Sequence, residues 1–398
     1  MKVQPFKCGP DYIDTKHHAM AAGEESVNLD SYMASAAHVR ELYARYGTAS
    51  DVCVTEGVMG LFDGYDGMKG SSAEIAELVL NAKSTAYTVA PVLYGFKHFY
   101  PGIRVVGVVF NFVASVAHYA YLQQACADAG VEALGYIPKD ESIVIPSRHL
   151  GLSIDETFCF DAFADRVAEV IDKTVNVDRL LELCTVEFSG EQTEDVVCSG
   201  NRKIAIARDE AFNFMYRENV EALKRAGEVV FFSPLRDKSL PEADMVYFPG
   251  GYPELHLAEL AANEEMRQSV RKYCETGGRV LAECGGMMYL CDTITGDDGK
   301  VYPMAGVLKQ GATMEQMKLK LGYREVRVNG QRIRGHEFHY SRILPANEKI
   351  PVIGTIYNAK DMVVDTPVYT YKNVLASYIH FYWGECGMDH FLMLMSQK

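Results

Sequence analysis

The sequence predicts two α/β domains, each built on a mainly parallel β-sheet. The 398 residues are enough for two or three domains of ordinary size. Short β-branched segments alternate with longer helical segments, a pattern typical of parallel βαβ units. A polar, acidic stretch without periodicity, residues 185–201, separates two such series. We therefore predict a first domain over residues 1–190, a linker over 191–201 and a second domain over 202–398.

The first domain begins with a strand, and predicted helices and strands alternate after it. Segments rich in β-branched residues, each closed by turn signals, are predicted as strands at 2–6, 51–57, 104–111 and 131–138. Helical patterns lie at 30–46, 71–80, 87–97 and 115–129, and a helical tail follows over 155–184. Because ligands of parallel sheets gather at the carboxyl ends of strands, we expect binding side chains in the loops that follow these strands.

In the second domain predicted strands and helices alternate again, and the last part of the domain is richer in β-structure. Its predicted strands are 203–207, 228–232, 244–251 and 279–286, with helices near 213–227 and 263–276. Residues 318–380 are rich in Tyr, Val and Ile with frequent turns, and 374–381 is the last predicted strand.

The composition excludes several classes of protein. With 39 basic and 53 acidic residues the net charge is −14, which argues against a nucleic-acid or anionic-membrane partner. No apolar run approaches the roughly 18 residues of a membrane span, and Pro5 and Asp11 come too early for a signal peptide. The ten cysteines form no Cys-x-x-Cys pair, so neither a zinc ribbon nor a thioredoxin motif is supported. We expect a cytoplasmic protein.

The segment RVLAECGGMMYL, residues 279–290, predicts a cysteine nucleophile. An apolar strand ends at Glu283, Cys284 follows at once, and two glycines lead into a helical run. This is the strand–nucleophile–helix turn of Gly-x-Ser-x-Gly hydrolases, with Cys in place of Ser. A thiol at a helix N-terminus is expected to lose its proton more easily. The alternative is a buried Cys beside a glycine turn, which the elbow context makes the weaker interpretation.

Such a nucleophile needs oxyanion donors and a base. The backbone N–H of Gly285 is one predicted donor, and Gly251 in the turn PGGY offers the second. Among the eleven histidines, His380 at the end of a late strand is the preferred base. His336 and His339 in RGHEFHY are its rivals.

The motifs FPGGYPELH, LAECGGMMYL, GHEFHYS and ASYIHF together resemble the class I glutamine amidotransferase domain of the cobyrinate a,c-diamide synthase family. The resemblance implies a flavodoxin-like fold in which Cys284 attacks the carboxamide of L-glutamine and His380 shuttles the proton. A glutamyl thioester forms and ammonia is released. Most class I amidotransferases carry a Glu two residues after the His; here that position is Tyr382, and the corrinoid branch is similarly without the Glu.

The first half also resembles this family, through VQPFKCGPDYID, VTEGVMGLFDG and IPSRHLGL. From the residues alone, Glu56 ends a strand and Asp63 follows in a glycine-rich loop, a setting that suits Mg²⁺. Asp11 and Asp14 lie in a Pro/Gly turn, where aspartates also commonly cap local backbone.

The resemblance implies a P-loop-NTPase-like, dethiobiotin-synthetase-like domain. In it Asp11, Tyr12, Glu56 and Asp63 serve the substrate carboxylate and Mg–ATP, with Glu56 as the metal ligand. An anionic polycarboxylate substrate needs basic groups, for which Lys7, Lys16 and Arg148 are candidates.

Two departures from the family pattern concern the first domain. No G-x-x-x-x-G-K-[ST] phosphate loop occurs, although the family places one upstream of a segment like KVQPFKCGPDYID. The strand expected near 78–83 also lacks several residues. Our interpretation is a family member truncated at its N-terminus and shortened internally.

The implied reaction is the amidation of the a and c acetate carboxylates of cobyrinate or hydrogenobyrinate in cobalamin biosynthesis. ATP forms an acyl phosphate that ammonia from glutamine displaces. Alternatives are a nickel-sirohydrochlorin a,c-diamide synthase, a cobyric acid synthase, a truncated chain with only a glutaminase or binding role, and a plain cysteine hydrolase. The sequence does not specify the oligomeric state.

Overall fold

The computed structural model describes residues 1–74, 79–81, 86–100, 102–145, 147–148, 151–152, 159–185, 200–346 and 349–387. The chain folds as two compact units. Residues 1–29 and 40–192 form the first, and residues 30–39 join 193–398 in the second. Most of the predicted linker lies outside the described residues. The assignment of residues 30–39 to the second unit had no counterpart in the predicted domain division.

The first unit contains short parallel sheets with helices between the strands. Its strands are β1 Val3–Cys8, β2 Val27–Leu29, β3 Val52–Glu56, β4 Val79–Asn81, β5 Gly107–Val113, β6 Glu132–Pro138, β7 Ser147–Arg148 and β8 Gly151–Leu152. Its helices are α1 Asp14–Ala22, α2 Ala36–Gly47 (which begins in residues 30–39), α3 Val89–Phe99, α4 Val116–Ala129, α5 Phe160–Thr174 and α6 Val177–Cys184. Among the described strands, those in the orders β2-β1-β3 and β4-β5-β6 pair in parallel, and β7 and β8 form an antiparallel pair.

The helix predicted at 71–80 is wrong. Its described residues form a short 3-10 turn at Ser72–Glu74 and the strand β4. The sequence here carries its apolar residues in a continuous run, in which periodicity alone does not distinguish a short strand from a helix, and Val79–Asn81 pairs in parallel with β5. The strand β2 was not predicted, because three residues are too few for a period to show.

The second unit is built around a six-stranded sheet. Its strands are β9 Arg202–Ala207, β10 Gly227–Phe232, β11 Met245–Phe248, β12 Arg279–Glu283, β13 Cys291–Thr295, β14 Val301–Pro303, β15 Leu308–Thr313, β16 Lys320–Val328, β17 Gln331–His339, β18 Arg342–Ile343, β19 Thr355–Tyr357, β20 Val368–Tyr371, β21 Val374–Ser377 and β22 Ile379–Phe381. Its helices are α7 Arg217–Ala226, α8 Leu257–Ala262, α9 Glu264–Glu275 and α10 Gly285–Leu290.

The order of the six-stranded sheet is β10-β9-β11-β12-β21-β20, parallel except for the last pair. Alternate residues of its strands enter two different hydrophobic clusters. Val246 and Phe248 belong to one cluster, and Met245 and Tyr247 to the other. The sheet is therefore buried on both faces, as the near-continuous apolar runs of its strands require. This confirms the α/β class with parallel sheets.

A second sheet, ordered β19-β16-β17-β22, carries the late part of the unit. The predicted last strand is split into β21 and β22, which belong to different sheets. Because β21 pairs with β12 and β22 with β17, residues of β22 are brought beside the carboxyl end of β12. This crossing point positions the site described next.

Candidate active site

Cys284 occupies a strained junction between β12 and α10. Its φ of 46° and ψ of −107° lie outside the regions that a residue with a side chain ordinarily adopts. The junction is fixed by a hydrogen bond of 2.7 Å from the Cys284 N–H to the carbonyl of Ser377 in β21. Such strain persists only where the surrounding structure enforces it, and it is concentrated at functional sites.

Small residues around the cysteine allow two turns to meet. A Cβ on Gly285 would lie 2.7 Å from Cδ of Pro253 and 3.2 Å from the nitrogen of Gly251. Gly251 has a φ of 157°, and a Cβ there would lie 2.1 Å from the carbonyl oxygen of Ala211. The structure therefore brings together Gly251 and Gly285, the two glycines predicted as oxyanion donors.

His380 reaches the same place from β22. Its ring lies against Gly250, where an added Cβ would be 2.2 Å from Cε1. The carboxylate of Glu283, next to Cys284 in sequence, accepts a hydrogen bond of 3.0 Å from the N–H of Phe381, and its other oxygen lies 3.9 Å from Nδ1 of His380. Both sequence-predicted reactive residues thus border the turn at Gly250, with His380 only 1% exposed and Cys284 only 6%.

Burial determines the protonation of this site. It raises the pKa of the Cys284 thiol far above its ordinary value, although the N–H of Gly285 acts in the opposite direction. It lowers the pKa of His380 well below the ordinary value and raises that of Glu283 to about 8. The expectation that the helix N-terminus eases deprotonation of Cys284 is therefore outweighed by the loss of water. The resting pair is a neutral thiol and a neutral imidazole.

The rival histidines lie nearby with other partners. His339 is bound at Nε2 to Glu337, at 2.8 Å, and at Nδ1 to the carbonyl of Ser341, also at 2.8 Å. His336 faces His380 across the β17–β22 pair. Its ring stacks on that of His380, with 4.9 Å between centroids and 13° between planes. Each of these two histidines therefore has partners of its own, whereas His380 lies against Gly250.

A cluster of charged side chains lies at the carboxyl ends of β1 and β3 in the first unit. Nζ of Lys7 is 2.8 Å from Asp14 and 3.2 Å from Glu56. Nε2 of His18 is 2.6 Å from the same Glu56 oxygen. Although burial acts to raise it, the hydrogen bond from His18 and the charge of Lys7 hold the pKa of Glu56 below its ordinary value. The carboxylate is thus charged and anchored.

The other predicted residues of the first unit have different surroundings. One oxygen of Asp11 accepts hydrogen bonds of 2.8 Å from the N–H groups of Ile13 and Asp14 and so caps the start of α1. Tyr12 is buried. Asp63 lies in the loop after β3 and accepts a hydrogen bond of 3.1 Å from the N–H of Gly60.

Two of the basic residues predicted for substrate binding, Lys16 and Arg148, remain to be placed. Burial lowers the pKa of Lys16 to about 8. The side chain of Arg148 lies outside the described residues.

The Glu56 cluster has the donor chemistry for a hard cation. Within the described ranges, no three His, Cys, Asp or Glu side chains form a group that could hold a metal ion by themselves. Mg²⁺, however, usually takes one or two protein carboxylates and completes its shell with phosphate oxygens and water. Glu56, with 47% of its side chain exposed, fits that role.

Sequence comparisons agree with the geometry. Residues 203–387, which contain Cys284 and His380, match the CobB/CobQ-like glutamine amidotransferase domain. The cobyrinate a,c-diamide synthase of Salmonella typhimurium is 35% identical over 409 residues, covering 97% of this chain and 89% of that protein. The synthase of Caldanaerobacter subterraneus subsp. tengcongensis is 37% identical, covering 98% of this chain and 91% of its relative. The chain belongs to the cobyrinate a,c-diamide synthase family.

The family match covers both units, so the resemblance found in the motifs is confirmed for the whole chain. Saccharolobus solfataricus provides a third such synthase, 35% identical, with coverage of 96% and 91%. Solved structures are more distant. PurLQS from Thermotoga maritima aligns at a TM-score of 0.32 and 17% identity, covering 45% of this chain and 87% of its own, and a glutamine amidotransferase aligns at 0.32 and 22%, covering 48% and 95%.

Sequence reasoning missed several neighbours of Cys284 and His380 in this synthase-family chain. Glu283 was recognised only as the end of a strand, although a carboxylate directly before the nucleophile in an apolar run is itself a signal. Tyr216, which bonds to His336, gave no signal, because the two residues are 120 positions apart in the sequence. No helix in the described part of the chain combines the length and apolar character that crossing a membrane requires.

Proposed function

We propose that this chain uses ATP and glutamine to amidate the a and c acetate carboxylates of cobyrinate in cobalamin biosynthesis. The observation that carries the proposal is Cys284, held at a positive φ at the Gly251–Gly285 pair, with His380 against the adjacent Gly250, in a chain of this family. Residues 202–398 would release ammonia from glutamine, and residues 1–190 would activate the carboxylate.

The glutaminase step follows from the neutral resting pair. As Sγ of Cys284 attacks the glutamine carboxamide, its proton passes to His380, so charge develops only when the substrate is in place. The N–H groups of Gly251 and Gly285 would stabilise the oxyanion. His380 then protonates the departing nitrogen, giving ammonia and a glutamyl thioester, which water hydrolyses to glutamate. A buried thiol that stays protonated without glutamine is also protected from other electrophiles.

The ligase step requires activation of a carboxylate, which resists nucleophiles. The γ-phosphoryl group of ATP is transferred to an acetate oxygen of the macrocycle, and ammonia displaces phosphate from the acyl phosphate. Mg²⁺ bound with ATP would neutralise charge on the phosphates, and Glu56 is the residue we expect to hold it. Lys7 and His18 orient this carboxylate. We assign Asp11, Tyr12 and Asp63 to the same ATP and substrate region because they match the family motifs.

The proposal is tested with one reaction and two measurements. The purified chain is mixed with glutamine, Mg–ATP and cobyrinic acid, and glutamate release and corrinoid mass are followed together. The control is Cys284→Ala, assayed with glutamine and with free ammonia. We expect the wild type to add two amide groups to the corrinoid, and the variant to do so only with ammonia.

Two other results would change the assignment. Glutamate release without amidated corrinoid would leave the glutaminase role and reject the ligase role for this chain. Amidation of nickel-sirohydrochlorin but not of cobyrinic or hydrogenobyrinic acid would replace the substrate.

A further inference from the structure

His336, Tyr216 and Tyr382 form with His380 a buried ring group. The ring of His336 stacks on that of His380, and both side chains are at most 5% exposed. The Oη of Tyr216 lies 2.7 Å from Nδ1 of His336. Tyr216 is itself 2% exposed and packs edge-on against Tyr382, with centroids 5.4 Å apart. None of these three neighbours has a role in the glutaminase chemistry described above.

The protonation of His336 fixes the direction of its hydrogen bond. Burial, together with the nearby Arg324 charge, lowers the pKa of His336 to about 3, so the ring is neutral at physiological pH. A tyrosine hydroxyl carries one proton, and the imidazole nitrogen at 2.7 Å is a stronger acceptor than the Met33 sulfur at 3.5 Å. Tyr216 therefore donates to Nδ1, which leaves the proton of His336 on Nε2. The hydroxyl sets both the tautomer and the plane of the ring.

The same group is held from a distant part of the sequence, residues 30–39. Nε2 of His38 is hydrogen-bonded to Oη of Tyr382 at 3.0 Å, and Met33 contacts Tyr216. The segment is anchored to the second unit by other bonds as well. The hydroxyl of Tyr323 donates to Asp30 at 2.8 Å, Arg334 donates to the carbonyl of Tyr32 at 2.9 Å, and the N–H of Ser35 donates to Glu385 at 2.9 Å.

We propose that His336 is the positioning residue for His380, and that Tyr216 and residues 30–39 hold it in place. Two parallel rings in contact restrict each other's rotation, so a fixed His336 keeps the ring of His380 in its plane against Gly250. Tyr382, which stands where most class I amidotransferases carry a Glu, acts indirectly by packing on Tyr216. This inference rests on the proposed glutaminase function. It adds that residues 30–39 determine how fast the second unit cleaves glutamine. In the sequence these residues lie between two segments of the first unit.

The main test compares two tyrosines that each lose one hydroxyl. Tyr216→Phe removes the bond to His336, whereas Tyr273→Phe removes a bond of 3.1 Å to the carbonyl of Ala243, outside the ring group. Glutaminase kcat and KM are measured for both, and kcat is normalised to the sites labelled by a chloroketone analogue of glutamine. For Tyr216→Phe we expect kcat per labelled site to fall roughly 5- to 10-fold, the effect of one hydrogen bond, with KM unchanged. Tyr273→Phe should match the wild type.

Two further variants extend the test along the group. His336→Ala should lower kcat per labelled site roughly 100-fold, since misplacement of a catalytic group by about an ångström has that effect. His38→Ala should lower it by a smaller factor, roughly threefold, through Tyr382. A variant that merely folds poorly would lose labelled sites without losing kcat per site.

The results separate this inference from the proposed function. Wild-type kcat per labelled site in both Tyr216→Phe and His336→Ala would overturn the positioning role while the glutaminase assignment stands. A parallel rise in KM in Tyr216→Phe would also overturn it, because it would place Tyr216 in glutamine binding. An inactive wild-type chain would instead reject the proposed function itself.

Discussion

The candidate reacting residues of the second unit are fixed by backbone, whereas the candidate residues of the first unit are fixed by neighbouring side chains. Cys284 sits at a strained φ between β12 and α10, with its N–H bonded to the carbonyl of Ser377 in β21, and His380 packs against Gly250. Glu56, in contrast, keeps its position through Lys7 and His18, with 47% of its side chain exposed. A site built on backbone is ready before its substrate arrives. One built on ion pairs can exchange its partners for phosphates and a cation.

The largest expected effect tests how closely Gly250 packs against His380 in the second unit. Gly250→Ala places a Cβ 2.2 Å from Cε1 of His380, so the ring must move. We expect glutaminase kcat to fall roughly 100- to 1,000-fold, because misplacement of about an ångström is enough for such a loss. Ammonia-driven amidation should be unchanged. The measurement is glutamate release beside corrinoid mass with ammonia as donor.

A matched glycine provides the control for that substitution. In Gly296→Ala the new Cβ would lie 2.8 Å from an oxygen of Asp298, an exposed side chain that can move away. Its glutaminase rate should equal that of the wild type. Equal loss in both variants would mean that any added methyl group disturbs this unit, and the contrast between a backbone-fixed and a charge-fixed site would fail.

The next effect concerns the buried carboxyl of Glu283. Its pKa of about 8 in the folded protein compares with an ordinary value of 4.5. Between these values the folded state holds a proton that the unfolded state has released, so the free energy of unfolding decreases as pH rises from 4.5 to 8. Glu283→Gln cannot ionise and should lack this decrease. The loss between pH 5 and 8 should be smaller in the variant by about 2–4 kcal/mol.

Trp383 is a suitable probe for this experiment, because it is the only tryptophan in the sequence and lies buried in the second unit. Urea unfolding followed by its fluorescence at several pH values reports on that unit. Glu275→Gln, which removes an exposed carboxylate paired with Lys372, is the control and should retain the wild-type dependence. Parallel curves for wild type and Glu283→Gln would show that Glu283 is charged in the folded state.

The same contrast explains what could be predicted from the sequence. Cys284 and Gly285 belong to one short segment whose strand, turn and helix are local features, so the motif alone placed them. His380 needed the family motifs, because eleven histidines compete and the split between β21 and β22, which brings it near Glu283 and Gly250, is not visible in the sequence. The thiol pKa was misjudged, since a helix N-terminus is visible in a sequence and the degree of burial is not.

In the first unit the predictions were less complete. Glu56 was recognised as a strand-end carboxylate, but its partners Lys7 and His18 depend on the parallel register that places Lys7 opposite Glu56. The carboxyl of Asp11 caps α1, the local role that turn aspartates commonly have. Charged side chains on separate elements carry no periodic signal, so their grouping emerges only from the fold.

The smallest expected effect tests the charge-fixed site directly. Glu56→Gln keeps the shape of the side chain but removes the charge that attracts Lys7 and His18 and would attract Mg²⁺. We expect ammonia-driven amidation to slow by roughly tenfold, with a higher Mg²⁺ requirement, since loss of a metal-site contact typically has a 10- to 100-fold effect and phosphate oxygens retain most of the coordination. Glutaminase activity measured without ATP should be unaffected. Glu24→Gln, which breaks the exposed pair with Lys2 in the same unit, is the control.

If raising Mg²⁺ restores the rate, Glu56 contributes to cation binding. If the rate stays low at every Mg²⁺ concentration, the carboxylate instead acts by orienting Lys7. An unchanged rate would show that this cluster lies outside the ligase site, and that only the backbone-fixed unit was correctly assigned.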